Sequence, residues 1–221
     1  MKLGCGGCLG TLFFLAMLGG GALAVMWATS RAVAPPDTTP MPGTAEDGVR
    51  AQQKIVAIMR AGVGKPRSER VPQEHVLSEA EINAFLSRHL GAIAGVPFDQ
   101  LAVHLVGDGI VEVFARVPLR RALGEEVSGW MDYLPDSWKT AILAVRLRGP
   151  LRLETETSPG QPKALRLDVT EAYVGQQRVP VPTVTWMLGP DGRRLFTRLR
   201  VPSSVEAVTI ERQRAVVRTL S

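Results

Sequence analysis

The sequence predicts an α+β protein that is held at a membrane by its first thirty residues. An uncharged apolar run extends from Leu9 to Ala28. A capped segment with apolar residues at helical spacing begins near Ser78. Most of the remaining chain alternates between apolar and polar residues in short stretches that turn residues separate. That alternation is typical of antiparallel strands with one buried and one solvated face.

The apolar run, within residues 1–30, is long enough to cross a bilayer as a helix. At about 1.5 Å per residue, 20 helical residues span the roughly 30 Å hydrocarbon core. Ala22-Leu23-Ala24 offers a signal-peptide cleavage site as the alternative, but the run continues to Trp27, which favours a retained anchor. Lys2 precedes the run and acidic residues follow it, which predicts a cytoplasmic amino terminus and an extracytoplasmic main domain, periplasmic or on the outer face.

Small residues recur at every fourth position of this predicted helix. Such a face lets two helices approach closely and predicts a homodimer, although Gly and Ala are also common in membrane helices generally. The four residues are Ala16, Gly20, Ala24 and Ala28. The only cysteines, Cys5 and Cys8, precede the run. The main domain therefore has no disulfide, and two cysteines alone do not predict a metal site.

Residues 31–70 are predicted to connect the anchor to the folded domain. Four prolines between Pro35 and Pro42 and several threonines indicate an extended spacer. A short helix follows from Ala45 to Ala61, with a partial apolar stripe, and Gly62 ends it. The pattern predicts a stalk helix below a folded domain at residues 71–221.

The folded domain opens with its principal helix. Ser78 and Glu81 have the spacing of a capping box. An apolar stripe follows at helical spacing and predicts the buried face, formed by Ile82, Phe85, Leu86, Leu90 and Ile93. His89 lies on the same stripe and is interpreted as a half-buried structural residue.

The strands follow this helix. Residues 101–105 and 111–117 alternate on either side of Gly107-Asp108-Gly109, which predicts a hairpin. Further alternating stretches lie at 147–155 and 165–169, and residues 205–217 predict a closing hairpin.

An aromatic segment interrupts the strands. It contains Trp130, Met131, Tyr133 and Trp138. Two glycines weaken a helix here and Pro135 ends it. The segment has three interpretations: a helix that packs its aromatic rings onto the sheet, a gate over a ligand groove, or a segment that contacts the membrane interface.

The end of the chain is basic. From Gly175 to Ser221, eight arginines against three acidic residues leave +5, which equals the net charge of the whole chain. On a membrane-tethered domain this predicts contact with anionic headgroups or an acidic partner, with a solvated surface as the alternative. The headgroup candidates are Arg193, Arg194, Arg198 and Arg200.

The order of these segments resembles that of bacterial membrane-anchored proteins of the YpmS type. The likeness is carried by LSEAEINAFLSRHL, by the strands, by VPVP before a short helix, and by RVPSSVEAVTIERQRAVV. The order of these segments is also similar to that of tubular lipid-binding domains. The resemblance implies a strongly bent antiparallel sheet wrapped around one long amphipathic helix. It further implies an apolar groove that binds lipid and that the helix residues Ile82, Phe85, Leu86 and Leu90 face.

No sequence motif predicts an enzyme, a cofactor or a catalytic residue. His75, His89 and His104 have no metal-ligand spacing, and no nucleophile-elbow motif is present. The compartment argues against a nucleic-acid partner. The first expectation is a domain that binds a membrane lipid or another apolar ligand in a groove between helix and sheet. The alternatives are a structural or assembly subunit of a cell-envelope complex, with an envelope protein as its partner, and an enzyme of unusual mechanism.

Overall fold

The computed structural model describes residues 40–61, 70–89, 99–119, 136, 140–154, 163–187 and 199–221. The predicted anchor, with Ala16, Gly20, Ala24 and Ala28, lies outside these ranges. In the part of the chain that is described, no helix combines the length and the hydropathy needed to cross a bilayer.

Three helices and ten strands are described, and every described strand pairing is antiparallel. This confirms the α+β class. In chain order the elements are α1 (Ala45–Arg60), β1 (Pro72–Ser78), α2 (Glu79–His89), β2 (Gln100–Gly107), β3 (Ile110–Pro118), β4 (Ile142–Glu154), β5 (Ala164–Leu167), β6 (Glu171–Val174), β7 (Gln177–Val179), α3 (Val181–Met187), β8 (Leu199–Arg200), β9 (Val205–Glu211) and β10 (Arg214–Leu220).

The strands form two sheets. The smaller has the order β1-β10-β9, and the pairing of β1 with β10 begins at Pro72 opposite Leu220. The larger has the order β2-β3-β4-β5-β8, and β6 and β7 extend from β4. Among the described strands, β2 ends this path and has a neighbouring strand along one edge only, and the helix α2 packs against its other edge.

The long strand β4 changes partner halfway along its length. One edge pairs with β3, while the other pairs first with β6 and then with β5. Gly149 lies at the change. A β-carbon at this position would stand 1.9 Å from the backbone oxygen of Asp168. Only glycine allows the two backbones to approach this closely.

Two apolar clusters form the core. The larger joins the inner faces of β2, β3, β4 and β6, where Val117, Val145 and Ala172 are buried. The smaller lies between α1, β1 and β9 and includes Ala51 and Ile58. Since α1 contributes to a core cluster, it packs as part of the body rather than standing apart as a stalk.

The described part of α2 does not show the long amphipathic helix that the resemblance implied. It spans eleven described residues, and the side chains that it buries are those of Glu79, Glu81, Asn83 and Ala84. Its apolar residues Ile82, Phe85 and Leu86 are half-buried. The reason is its position: α2 lies between α1 and the unpaired edge of β2, and the backbone groups of that edge require polar partners.

Candidate functional site

A cleft of about 740 Å³ lies between α2, the start of β2 and the segment 40–43 that leads into α1. We call residues 40–43 the linker. Apolar and polar groups share the cleft walls. Its described lining residues are Pro40, Met41, Pro42, Gly43, Asn83, Ser87, Asp99, Gln100, Leu101 and Ala102.

The linker is fixed to α2 by hydrogen bonds at both backbone groups of one residue. Met41 N donates to Glu79 Oε1 at 2.9 Å, and Asn83 Nδ2 donates to Met41 O at 2.9 Å. Gly43 lies so close to α2 that a β-carbon there would be 2.0 Å from the carbonyl oxygen of Ala80. The Met41 side chain stays 45 % exposed at the cleft.

The same two side chains bind the edge of β2 on their other side. Val103 N donates to Asn83 Oδ1 at 2.7 Å, and Asn83 Nδ2 donates to Val103 O at 2.9 Å. Leu105 N donates to Glu79 Oε2 at 2.9 Å. Four residues along a helix cover about 6 Å and two residues along a strand cover about 6.6 Å. The spacing of Glu79 and Asn83 therefore matches that of Leu105 and Val103.

Glu79 is only 2 % exposed, yet hydrogen-bond donors surround both oxygens of its carboxylate. Besides the backbone donors of Met41 and Leu105, its Oε2 lies 2.9 Å from His104 Nδ1. A buried carboxylate is costly unless several donors replace water. Glu79 is thus the point at which the linker, α2 and β2 are joined.

A second buried carboxylate joins α2 to α1. Lys54 Nζ donates to both oxygens of Glu81, at 2.7 and 2.8 Å, and Ser78 N donates to Oε2 at 2.9 Å. Glu81 N donates in return to Ser78 Oγ, which confirms the predicted capping box. Burial raises the pKa of Glu81, but the bonds from Lys54 and Ser78 outweigh burial and hold that pKa below its ordinary value.

One pair of backbone groups on the β2 edge opens into the cleft. Pairing with β3 is continuous from Gln100 to Leu105, so outward-facing backbone groups recur at every second residue. The contacts of Val103 and Leu105 identify the outward set, and Leu101 is its next member. The N–H and C=O of Leu101 have no hydrogen-bond partner within the described ranges.

The predicted groove residues lie beside this cleft. Ile82 packs against both core clusters. Phe85 packs against the smaller cluster, and its ring stacks on His89 with the ring centroids 4.2 Å apart. Leu86 is half-buried. None of these three is among the described lining residues. The other predicted groove residues fall outside the described ranges: Leu90, Trp130, Met131, Tyr133 and Trp138.

The basic end of the chain is partly neutralised. Three of its arginines form ion pairs with acidic residues: Arg178 with Glu171, Arg214 with Glu211, and Arg218 with Glu74. Arg200 is exposed on β8, opposite Ala164. The remaining headgroup candidates, Arg193, Arg194 and Arg198, lie outside the described residues. Across the described part of the chain, no cluster of three or more His, Cys, Asp or Glu residues could hold a metal ion.

Sequence reasoning missed two residues that build the cleft. Asn83 was not singled out, because the apolar stripe of α2 dominated its pattern, and Met41 was assigned to the spacer. The available signal was the pair Glu79 and Asn83, two hydrogen-bonding side chains four residues apart on one helix face. No protein-family model matches the chain, and no curated protein matches it in sequence.

Proposed function

We propose that the chain is a single-pass membrane protein whose extracytoplasmic domain binds a membrane lipid or another apolar ligand in the cleft between α2 and β2. The observation that carries this proposal is the cleft itself. Its volume of about 740 Å³ falls within the roughly 300–1,000 Å³ of small-molecule sites. Pro40, Met41 and Pro42 supply apolar wall, and Asn83 and Gln100 supply polar groups.

The position of the linker supports a ligand that comes from the membrane. Pro40 follows Ala28, the last residue of the proposed anchor, by twelve residues. A chain of that length extends over about 40 Å at most. The cleft would therefore remain within reach of the lipid headgroups, where Arg200 and the neighbouring arginines 193, 194 and 198 meet anionic lipid.

The finer fold that the resemblance implies belongs to the same proposal. A strongly bent sheet around the helix would enlarge the groove beyond the described lining, and Trp130 and Trp138 would line its mouth. The partner change of β4 at Gly149 supports this, because a strand that serves two neighbours along one edge allows the sheet to change direction there.

The test uses the full-length chain in lipid nanodiscs, titrated with a fluorescent fatty acid. The wild type is expected to bind saturably. Met41→Glu places a charge in the cleft and is expected to weaken binding at least tenfold, because the bound apolar ligand would bury that charge without a partner, which is costly. Met59→Glu is the matched control, since Met59 is exposed on α1 and does not line the cleft. Saturable binding that Met41→Glu leaves unchanged would contradict the assignment.

A second candidate function is that of a structural or assembly subunit. Val49, Val56 and Met59 are 45, 37 and 61 % exposed, and their spacing on α1 places them along one side of the helix. Together with the small-residue face of the anchor, this stripe suits a homodimer or an envelope protein partner. Val56→Cys should then form a disulfide between copies in membranes more readily than the neighbouring control Ala57→Cys.

A further inference from the structure

The unpaired edge of β2 carries three outward backbone pairs in a row, and two of them have partners. Leu105 N donates to Glu79, and Leu105 O accepts from Gln213 N at 2.9 Å. Val103 N and O both bond the side-chain amide of Asn83. The third pair, at Leu101, faces the cleft. Its side chain packs against the larger core cluster, so the backbone is what Leu101 offers to a ligand.

The next outward residue along this edge, Val103, shows which chemical groups can satisfy such a backbone N–H and C=O. Asn83 satisfies both backbone groups of Val103, because a carboxamide donates through its nitrogen and accepts through its oxygen, and these two atoms are only two bonds apart. Leu101 requires the same complement: an acceptor for its N–H and a donor for its C=O. A carboxylate or an ester provides only acceptors. The N–H and C=O of a trans secondary amide point in opposite directions, so only its N–H can reach Leu101 O. In an N-acyl amino acid, the carboxylate that follows the amide supplies the acceptor on the same side as that N–H, as in a pair of antiparallel strands.

We propose that the ligand of the cleft is an acyl chain that is amide-linked to an amino acid, whose amide N–H pairs with the backbone C=O of Leu101 and whose carboxylate pairs with the backbone N–H of Leu101. This inference rests on the proposed function, because it takes the cleft as the ligand site. The amide N–H donates to Leu101 O, and the carboxylate that follows it accepts from Leu101 N. The acyl chain lies against Met41, Pro40 and Pro42.

The test compares two ligands that differ in one group. N-dodecanoylglycine and O-dodecanoylglycolate have the same chain and the same carboxylate, but the ester has oxygen where the amide has N–H. Each is titrated into full-length protein in nanodiscs, with empty nanodiscs subtracted. The amide is expected to bind about five- to tenfold more tightly, as one unmade hydrogen bond to a partly buried carbonyl implies.

Two variants test the hydrogen bond at the backbone N–H of Leu101. Leu101→Pro removes the outward N–H, and proline is tolerated at a sheet edge. Leu101→Pro is expected to weaken the binding of both ligands several-fold relative to Leu101→Ala, which keeps the N–H and removes the side chain. If Leu101→Pro does not fold, the comparison of amide and ester in the wild type decides alone.

The outcomes are distinct. Equal binding of amide and ester overturns the amide assignment and leaves the cleft as an apolar site. Binding of neither ligand overturns the proposed function together with the inference. Equally tight binding of N-acetylglycine methylamide, which has no long chain, would also overturn the inference, because the occupant would then be an extended peptide.

Discussion

Asn83 and Val103 are joined by two hydrogen bonds of opposite direction, from the strand nitrogen to the side-chain oxygen and from the side-chain nitrogen to the strand oxygen. The amide of Asn83 thus occupies the place that a neighbouring strand would take. Exposed strand edges invite pairing with other chains, and native proteins cover them. Here one turn of α2 provides the cover.

Replacement of Asn83 by Leu is expected to destabilise the protein by about 1–3 kcal/mol. Leucine has a similar branched shape but leaves the backbone groups of Val103 without a partner, and leaving a buried polar group unbonded costs this much. Urea unfolding of the full-length chain followed by circular dichroism measures the change. Gln53→Leu, at an exposed position on α1, is the control and should change stability by less than about 0.5 kcal/mol.

Two glycines that face Ala84 are expected to respond to alanine in opposite directions. A β-carbon at Gly43 would be 2.0 Å from Ala80 O and 2.6 Å from the Ala84 β-carbon. Gly43→Ala should therefore push the linker off α2 and cost about 1–3 kcal/mol. A β-carbon at Gly48 would meet Ala84 at an ordinary 3.6 Å. Gly48→Ala should stabilise α1 by about 0.5–1 kcal/mol.

Hydrogen exchange separates a local from a global effect of these substitutions. In Gly43→Ala the Met41 amide, which donates to Glu79, should exchange faster even where the core amides stay protected. The same direction of change in both variants would show that the linker does not lie against α2 as described.

Acid is expected to weaken the contact between α1 and α2. The folded-state pKa of Glu81 is below its ordinary value near 4.5. A lowered pKa contributes stability above the unfolded-state value, and that contribution is lost as pH falls through the lower folded-state value. The free energy of unfolding should therefore decline below about pH 4.5.

Glu81→Gln should reduce this pH dependence and leave the part that belongs to Asp47. The pKa of Asp47 is also lowered, chiefly by the backbone N–H of Thr44. Unfolding free energies between pH 3 and pH 7 test this point. If the unfolding free energy of Glu81→Gln declined with pH as steeply as that of the wild type, the acid sensitivity would belong to groups other than Glu81.

Truncation of Phe85 should cost less than its sequence pattern suggests. As a fully buried core residue it would cost about 3–5 kcal/mol on change to alanine. In the structure Phe85 is half-buried at the margin of the smaller cluster and stacks on His89. A loss of about 1–3 kcal/mol is expected from thermal unfolding, whereas a loss of 5 kcal/mol would mean deeper burial than the structure has.

Local patterns in the sequence predicted the local elements well. The helix expected at Ala45–Ala61 lies at Ala45–Arg60, and the hairpin around Gly107-Asp108-Gly109 joins β2 to β3. The closing hairpin became β9 and β10. Each of these depends on contacts between neighbours in sequence, such as apolar spacing or a turn that needs positive φ.

Elements that depend on distant partners were not predicted. The strand β1 has the sequence PQEHVLS, and only Leu77 in it is buried. It is a strand because β10 pairs with it. In the same way, the sequence cannot show that α2 buries Glu79, Glu81 and Asn83. The hydrogen-bond partners that allow their burial are Lys54 on α1 and the backbone edge of β2.

The cleft was expected only in outline, as a groove between helix and sheet. Its position depends on Met41, a residue assigned to the spacer, because the two side chains that hold it lie about 40 residues later. Apolar periodicity carries no information about such side-chain bonds to a distant backbone.

The pairing of β1 with β10 also sets the order in which the protein can be completed. Pro72 lies opposite Leu220, so the smaller sheet closes a loop of roughly 150 residues and cannot form before the last strand has been synthesised. Contacts of such long range slow folding. During translation β1 must wait without its partner while α1 and α2 can already associate, and a chain released before β10 would lack one whole sheet.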